Sequence, residues 1–290
     1  MQSQRISASS YSNTAPLVWS FLYGKNQGKV ELIMDTAPAR SAELLSQDRV
    51  DAALVPVIAY QMIDGVSLVP DVCVGARQRV RSVCLITNGG DLEDVRSVSL
   101  DTSSRTSVVL TKIIFREFLG FEPEWREGSP DIDAMLIQAD AALLIGDPAL
   151  KIANYHAEIA YLSEPQPSSG RLDPKSKVQN LRSFDLAQLW HKYTGFGFVF
   201  AMWMTRRNNI SIDFAEARDE GCDHLEQIIS NYETEITLNR DEMREYLSEN
   251  ISYSVDESMA RGLDLYFELA KKDGLIRENK PLSFTRAVTE

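Results

Sequence analysis

Two stretches of nearly the same sequence constrain the fold of this 290-residue chain more than any other feature. DAALV begins at Asp51 and DAALLI begins at Asp140, and each short apolar run follows a helical segment. Continuous apolar runs of this length are typical of strands that are buried on both faces of a parallel sheet. The repeat favours two similarly built halves, and the alternation of strands and helices around it indicates an α/β chain.

Strands and helices alternate in a first series, begin again in a second series, and finally give way to helices alone. The first series predicts strands at Arg5–Ala8, Val30–Met34, Asp51–Val57 and Ser82–Thr87, with helices at Pro16–Tyr23 and Ala37–Ser46. The second predicts strands at Ser97–Leu100, Ala139–Ile145 and Phe196–Met204, helices at Thr106–Leu119 and Asp185–Tyr193, and an irregular loop at Gln166–Asp185. Helical periodicity then covers Phe214–Asn231, Asn239–Asn250 and Val255–Asp273, and Asn239 with Glu242 and Ser254 with Glu257 fit N-cap signatures.

This order of elements predicts a lobe that is interrupted by a second lobe. The first lobe is expected to contain residues 1–88 and 197–290, including the C-terminal helices, and the inserted lobe residues 89–196. Two chain crossings form a hinge, and hinged lobes enclose a ligand by closing over it. The expected fold is therefore two-lobed, of the type II periplasmic-binding-protein kind, with a hinged cleft between the lobes.

Composition excludes several classes of partner. The net charge of −12 argues against nucleic acid and anionic membranes, which both require a basic surface. No apolar run reaches the length of a membrane span, and the N-terminus has no signal-like apolar stretch, so a cytoplasmic location is expected. Three scattered cysteines fit neither a disulfide framework nor a zinc site, and no metal is expected. An anionic ligand would need donors concentrated locally to overcome the global charge.

The loop after the first predicted strand is rich in hydrogen-bond donors. In open α/β sheets, ligands bind beyond the carboxyl ends of strands, where helix N-termini direct backbone N–H groups outward. Ser10, Asn13 and Thr14 lie in such a position, between the first strand and the helix that begins at Pro16. The alternative is ordinary N-capping, a role that these residue types also favour. Ser, Asn and Thr make up five of the six residues from Ser9 to Thr14, and this density of donors favours a ligand site.

A second donor-rich segment follows the strand at Ser97–Leu100. Its hydroxyls and one guanidinium converge at the start of a helix, where the dipole favours an anion. The candidate ligand-binding residues are Ser103, Ser104, Arg105, Thr106 and Ser107. Arg105 is a candidate clamp for a carboxylate. The segment lacks the glycines and lysine of a P-loop, and a serine-rich surface loop is the alternative.

Two further turns complete the candidate cleft. Ser82 begins an apolar strand, and taken alone it is no more than a polar strand end beside a solvated Arg81. Gly146 permits close approach of backbone to a ligand. Asp147 is able to accept from a ligand hydroxyl, to act as a base, or to cap the helix at Pro148.

No conventional catalytic motif is present. The histidines at 156, 191 and 224 lie outside these segments, and the chain has no GxSxG, HExxH or GxGxxG motif. A cleft with many donors and one obvious carboxylate is suited to binding and orienting an anion. From the residues alone, a pure binding protein is favoured over an enzyme.

Six segments in order resemble the chorismate dehydratases. They are SYSNTAPL at Ser10, DAALVPVIAY at Asp51, RSVCL at Arg81, DTSSRTSVVL at Asp101, ALLIGDPAL at Ala142 and DLAQLWHKYTGFGFVFAMW at Asp185. The resemblance covers about residues 5 to 275. It implies a cytoplasmic enzyme with a type II periplasmic-binding-like fold that acts in the futalosine route to menaquinone without metal or organic cofactor.

The resemblance also implies a reaction and two catalytic residues. Chorismate dehydratases are hydro-lyases that convert chorismate to 3-[(1-carboxyvinyl)oxy]benzoate and water, and the positions matching Asn13 and Ser82 are tied most closely to catalysis. Two alternatives stay open: a 1,4-dihydroxy-6-naphthoate synthase-like enzyme of the same pathway, or a non-catalytic small-anion binding protein. The first loop, SYSNTAPL, favours the dehydratase because the sister family carries a cysteine- and proline-containing segment there.

The chemistry expected from this resemblance is an elimination that makes the ring aromatic. We expect the helix end at Ser103–Ser107 to hold the ring carboxylate, Asn13 to orient the substrate, and Ser82 to contact the enolpyruvyl carboxylate or the departing hydroxyl. The base is either the substrate's own enolpyruvyl carboxylate or Asp147. Homodimerisation through the acidic C-terminal helices is also open.

Overall fold

The strands of the protein form in the order that the sequence predicts, with three additions. The computed structural model describes residues 3–152, 181–207, 210–232, 235–236 and 238–285. Its strands are β1 (Gln4–Ser9), β2 (Val30–Asp35), β3 (Ala52–Pro56), β4 (Ser67–Ala76), β5 (Val83–Asn88), β6 (Ser97–Asp101), β7 (Glu124–Gly128), β8 (Ala141–Ile145), β9 (Leu181–Asp185) and β10 (Phe198–Thr205).

Helices cover these strands and form most of the C-terminal part. They are α1 (Ala15–Tyr23), α2 (Pro38–Ser46), α3 (Ala59–Met62), α4 (Arg105–Ile113), α5 (Ile132–Gln138), α6 (146–152), α7 (Leu186–Thr194), α8 (Phe214–Asp223), α9 (Leu225–Tyr232), α10 (Arg240–Glu245) and α11 (Glu257–Lys272). A short 3-10 turn at Ser12–Thr14 precedes α1, and π-type turns extend α4 over Ile114–Leu119 and α10 over Tyr246–Asn250.

The strands assemble into two five-stranded sheets. The first has the order β2-β1-β3-β10-β4 and the second the order β7-β6-β8-β5-β9. In each sheet one strand runs antiparallel to both neighbours: β10 between β3 and β4, and β5 between β8 and β9. The residues of β3, β6 and β8 are all buried, which agrees with the apolar sequences of β3 and β8, whereas β6 alternates polar and apolar residues. The two sheets share one continuous apolar core.

The chain crosses to the second sheet earlier than residue 88. β5 pairs with β8 and β9, so the strand that the sequence placed in the first lobe belongs to the second sheet. The sequence-based boundary is wrong for this strand because strand pairing is a long-range property that an apolar run does not reveal. β10 returns the chain to the first sheet, and the division into two domains otherwise stays a prediction.

Hydrogen bonds from the turn after β3 and from two helices reach the segment that follows β6 in the second sheet. The backbone N–H of Ile58, after β3, donates to the hydroxyl of Thr106 at 3.2 Å. The N–H of Ala39, in α2, donates to the carbonyl of Ser103 at 3.1 Å. The hydroxyl of Tyr266, in α11, donates to the carbonyl of Thr106 at 3.1 Å. These bonds hold the two halves against each other.

Several local predictions are confirmed and others are corrected. Asn239 and Glu242 form the predicted capping box at the start of α10. α11 begins later than expected: Asp256 caps it by accepting from the N–H of Met259, and Ser254 is not the cap. The loop predicted for Gln166–Asp185 lies outside the described residues as far as 180, and its last five residues form β9. His156 also lies outside the described residues.

Candidate active site

Loops from both sheets meet where β1, β6 and β8 end and β5 begins. Ser12, after β1, donates its hydroxyl to a carboxylate oxygen of Asp147 at 2.5 Å, and its backbone N–H donates to the same group at 3.2 Å. The N–H of Gly146 donates to the carbonyl of Ser82 at 2.7 Å. The predicted loops after β1 and β8 and before β5 are therefore neighbours in space.

Asp147 is a mostly buried carboxyl group held by Ser12. Burial raises its pKa, while the hydrogen bonds from Ser12 and the charge of Lys151 act in the opposite direction. Because both of its oxygens accept from Ser12, the carboxylate is already engaged in joining the two halves. This contact fits the acceptor role predicted for Asp147 and supplies a structural reason for an acid at this position.

Asn13 and Ser82 face the same buried phenol. Their side chains are 8% and 0% exposed, and both lie close enough to the hydroxyl of Tyr246 to lower its pKa. Burial outweighs them and raises that pKa above the ordinary value for tyrosine. The two residues expected to be catalytic come from different sheets of the fold, and this phenol links them. Their catalytic role stays a prediction.

A strained turn places Ser82. Arg81 has a φ of 62°, in the left-handed region that residues other than glycine rarely adopt. Asp185 fixes this turn because its carboxylate accepts from the N–H groups of Arg81 at 2.6 Å and Val80 at 3.0 Å. Strained backbone held in this way is concentrated at functional sites. The Arg81 side chain is only 8% exposed, so it is not the solvated charge that the sequence allowed.

The start of the 101–107 segment also faces the first loop. The N–H of Ser103 donates to Asp101 at 3.0 Å, and Asp101 is 1% exposed. One Asp101 oxygen and the Ser103 hydroxyl are buried without a hydrogen-bond partner in the described residues. Burial raises the pKa of Asp101 and that of Tyr11, and the Asp101 charge raises the latter further. The Ser103 side chain acts in the opposite direction, as a hydrogen-bonding neighbour that lowers both pKa values.

The hydroxyls of Ser104, Thr106 and Ser107 already have protein partners. The Ser104 hydroxyl caps α4 by accepting from the N–H of Ser107 at 3.4 Å, and the two hydroxyls lie 3.0 Å apart. Thr106 accepts from Ile58, as described above. Helix capping and contact between the sheets are the roles that these contacts support. The predicted substrate contacts of Ser104, Thr106 and Ser107 stay predictions.

Three other candidate residues have different surroundings. Thr14 donates its hydroxyl to the carbonyls of Ser9 at 2.5 Å and Tyr11 at 2.8 Å, which stabilises the turn itself. Ser10 is exposed, and its backbone N–H donates to the carbonyl of Asp35 at 2.8 Å. Arg105 is exposed at the first residue of α4. Its role as a carboxylate clamp stays a prediction.

Gly146 has a neighbour that explains the glycine. Its φ is 63°, and a Cβ at this position would lie 2.7 Å from the ring of Tyr11. The close approach expected between the Gly146 backbone and a ligand is made here by a side chain of the opposite sheet. Tyr11 is thereby placed beside Asp101 and Asp147, and both charges raise its pKa.

The part of the chain that the structure describes contains no group of three or more His, Cys, Asp or Glu residues arranged to hold a metal ion. Within the same residues, no helix is both long enough and apolar enough to cross a bilayer. The thiols of Cys73 and Cys84 are free and buried, as their apolar surroundings predict.

A family model described as menaquinone biosynthesis matches residues 4–272. This chain belongs to that family. A chorismate dehydratase from Thermus thermophilus is 31% identical to it over 243 residues, which are 81% of this chain and 85% of the relative. The resemblance that the six segments indicate is therefore confirmed.

Solved structures show which fold this family member has. An Archaeoglobus fulgidus protein superposes with a TM-score of 0.70 at 15% identity, covering 94% of this chain and 98% of the other. A Candida albicans protein described as having the generic periplasmic binding protein fold gives 0.63 at 9% identity, covering 100% and 99%. The predicted periplasmic-binding-protein fold is confirmed.

Sequence reasoning missed Tyr246, Asp185 and the burial of Arg81. Tyr246 lies in a C-terminal helical segment, far along the chain from Asn13 and Ser82, and no motif marks it. Asp185 was recognised only as the start of a helix. Its place just before the helical run Leu186–Thr194 predicts a cap, but only the fold shows that it also holds Arg81.

Proposed function

We propose that this protein is a chorismate dehydratase, a hydro-lyase that converts chorismate to 3-[(1-carboxyvinyl)oxy]benzoate and water in menaquinone biosynthesis. The family match along residues 4–272 and the Thermus thermophilus relative support this function. The structural observation that supports this function is the arrangement of Asn13 and Ser82. These residues come from different sheets and face the buried hydroxyl of Tyr246.

A buried arginine supplies positive charge at the candidate site, although the chain as a whole is negatively charged. Chorismate is a dianion, whereas the chain carries a net charge of −12. Arg81 is buried and acts electrostatically on Tyr246, so it supplies positive charge beside Asn13 and Ser82. A charge in a poorly solvated site acts much more strongly than one at the surface. We assign to Arg81 the attraction of one substrate carboxylate.

The reaction makes few demands on the protein. A ring proton leaves as a proton, the neighbouring hydroxyl leaves as hydroxide, the two combine as water, and the ring becomes aromatic. The protein has to hold the substrate in a reactive geometry and to stabilise negative charge that moves towards the ring carboxylate. Neutral donors such as Asn13, Ser82 and Ser103 are suited to this task.

We assign the role of base to the enolpyruvyl carboxylate of the substrate. The protein-side candidate, Asp147, accepts from the hydroxyl and the backbone N–H of Ser12, so its carboxylate is held in the contact between the two halves. A base has to reach the proton that it removes, within about 3 Å or through one water. The engagement of Asp147 therefore favours the substrate-assisted route, in which the protein supplies orientation.

The remaining parts of the proposal concern the cellular location, the cofactors and the partners of the protein. We propose that the protein works in the cytoplasm and needs neither a metal nor an organic cofactor, as the family resemblance implies. Its small-molecule partner is chorismate, and nucleic acid and membrane are not expected as partners. A homodimer formed through the C-terminal helices stays a prediction.

Incubation of the purified protein with chorismate alone tests this function. We expect an aromatic ultraviolet spectrum to develop, and proton NMR to show the aromatic product with its enolpyruvyl group intact. Binding of chorismate without conversion would instead favour the small-anion binding protein. Release of pyruvate, or conversion to any product that has lost the enolpyruvyl ether, would contradict the dehydratase.

A further inference from the structure

Tyr246 occupies an unusual position in the fold. It is the first residue of the π-type turn that follows α10, and its side chain is 0% exposed. Its hydroxyl makes no well-aligned hydrogen bond within the described residues, and the side chains of Ser82 and Asn13 lie within hydrogen-bonding reach of it. Single π-type turns inside or after α-helices occur frequently at functional sites.

The hydroxyl is surrounded by the candidate catalytic residues. Burial has the largest effect on its pKa, Ser82 and Asn13 act on that pKa as hydrogen-bonding side chains, and the charges of Asp147 and Arg81 also act on it. Asn13 follows β1 in the first sheet and Ser82 precedes β5 in the second. Tyr246 therefore lies next to one candidate residue from each half of the site.

A buried hydroxyl without a partner is costly for a protein. The desolvation of such a group costs about 1–3 kcal/mol when no hydrogen bond replaces its water. Burial also raises the pKa of Tyr246, so the group keeps its proton at neutral pH and is a donor. A ligand oxygen between Asn13 and Ser82 would supply a well-aligned acceptor.

We propose that the Tyr246 hydroxyl is a third substrate-binding donor, which hydrogen-bonds the substrate oxygen that lies between Asn13 and Ser82. The phenol keeps its proton throughout, and no bond to it forms or breaks. This inference rests on the proposed function for the identity of the substrate. It adds a residue from the C-terminal helical region to a site otherwise built from the loops of the sheets.

The chain offers a matched control. Tyr253 is 8% exposed, and its hydroxyl is likewise buried without a partner in the described residues. The groups that act on its pKa are Tyr246, Tyr232 and two cysteines. Replacement of either tyrosine by phenylalanine removes one unpartnered buried hydroxyl. Only one of the two replacements is expected to remove a donor from the substrate.

The experiment compares Tyr246→Phe and Tyr253→Phe with the wild type in Tm, kcat and KM for chorismate. We expect Tyr246→Phe to keep or raise Tm and to lose about 100-fold in kcat/KM, as a lost transition-state donor does. Tyr253→Phe should keep both Tm and turnover. Wild-type kcat/KM in Tyr246→Phe would overturn the inference, and so would equal losses in the two variants. A fall in Tm specific to Tyr246→Phe would also overturn it, because the hydroxyl would then have a partner within the protein.

Failure of the proposed function gives a different result. If the wild type does not convert chorismate, the function is wrong, and Tyr246 is then tested by calorimetric binding of chorismate. Weaker binding in Tyr246→Phe than in the wild type and in Tyr253→Phe would support the contact. Equal behaviour of the three proteins would overturn it.

Discussion

Ser12 donates both its backbone N–H and its hydroxyl to the carboxylate of Asp147, a residue 135 positions further along the chain. Ser12 follows a strand of the first sheet and Asp147 follows a strand of the second. A hydroxyl-to-carboxylate bond is charge-assisted and stronger than a bond between neutral groups. This pair therefore fixes how the two halves of the candidate site lie against each other.

Asp147→Asn distinguishes the two candidate bases. Because the amide oxygen still accepts from Ser12, we expect kcat/KM for chorismate to stay within about tenfold of the wild-type value, which is less than the loss of a general base causes. Ser12→Ala, which keeps only the backbone donor, is the control for the contact between the sheets. A loss of about 100-fold or more in the turnover of Asp147→Asn, with chorismate binding intact, would assign the base to Asp147.

Gly146→Ala is expected to cost more stability than the same change at Gly195. Both glycines have positive φ, 63° and 74°, so alanine is strained by about 1 kcal/mol at either position. At Gly146 the new Cβ also meets the Tyr11 ring at 2.7 Å, whereas Gly195 has open space. Urea unfolding should show a further loss of about 1–3 kcal/mol for Gly146→Ala. Equal losses would show that Tyr11 moves aside freely.

Asp185→Ala is expected to damage both stability and turnover. Its carboxylate caps α7 through the N–H of Gln188 and accepts from Val80 and Arg81, so its loss leaves buried donors unpaired. We expect a loss of about 3 kcal/mol in the free energy of unfolding. Asp213→Ala, which removes an exposed cap from α8, should cost about 1 kcal/mol.

Measurement of kcat distinguishes the roles of the two capping residues Asp185 and Asp213 further. Asp185 holds the left-handed Arg81 next to Ser82, so Asp185→Ala should also lower kcat, while Asp213→Ala should not. Similar stability losses in the two variants, or wild-type kcat in Asp185→Ala, would contradict this account of the turn.

The stability of Asp101→Asn relative to the wild type should change with pH. Burial raises the pKa of Asp101, so the folded state holds its proton more tightly than the unfolded state. The associated stability is fully present below the unfolded pKa of about 4 and is lost as the pH rises through the folded pKa. In urea unfolding, the stability of Asp101→Asn relative to the wild type should therefore increase as the pH rises above about 4.

Asp256→Asn is a control for which the stability difference from the wild type should change with pH in the opposite direction. Burial acts to raise the pKa of Asp256, but the bonds from Met259 and Arg77 outweigh it, and the pKa is lowered. The wild type should then lose its advantage over Asp256→Asn as the pH falls through that lowered value. The same slope in both variants would contradict the assignment of the shift at Asp101 to burial.

The sequence predicted the buried strands well and the polar ones poorly. β3 and β8 are apolar throughout, so local pattern alone identifies them. β7, with the sequence EWREG, has no apolar alternation and forms because it pairs with β6 at the sheet edge. β4 contains Pro70 and Asp71, residue types that are rare in strands, so its signal is interrupted. Such elements depend on partners that are distant in sequence.

The candidate site was predictable as a set of loops but not as a set of contacts. The carboxyl ends of the strands led to the loops that contain Asn13, Ser103 and Asp147, because strand direction fixes where loops gather. The use of Ser104 as a cap and of Thr106 as a contact between sheets depends on which backbone donors come near. Tyr246 depends on the packing of the C-terminal helices, for which no local pattern exists.

The central claim is that Asn13 and Ser82 act on one chorismate molecule between the two sheets, and a double-mutant cycle tests it most directly. Asn13→Ala, Ser82→Ala and the double variant are compared in kcat/KM for chorismate. We predict that each single change costs about 100-fold and that the double variant is little worse than the poorer single, because residues that act as a unit are not additive. Fully additive losses, or wild-type kinetics in both single variants, would contradict the account.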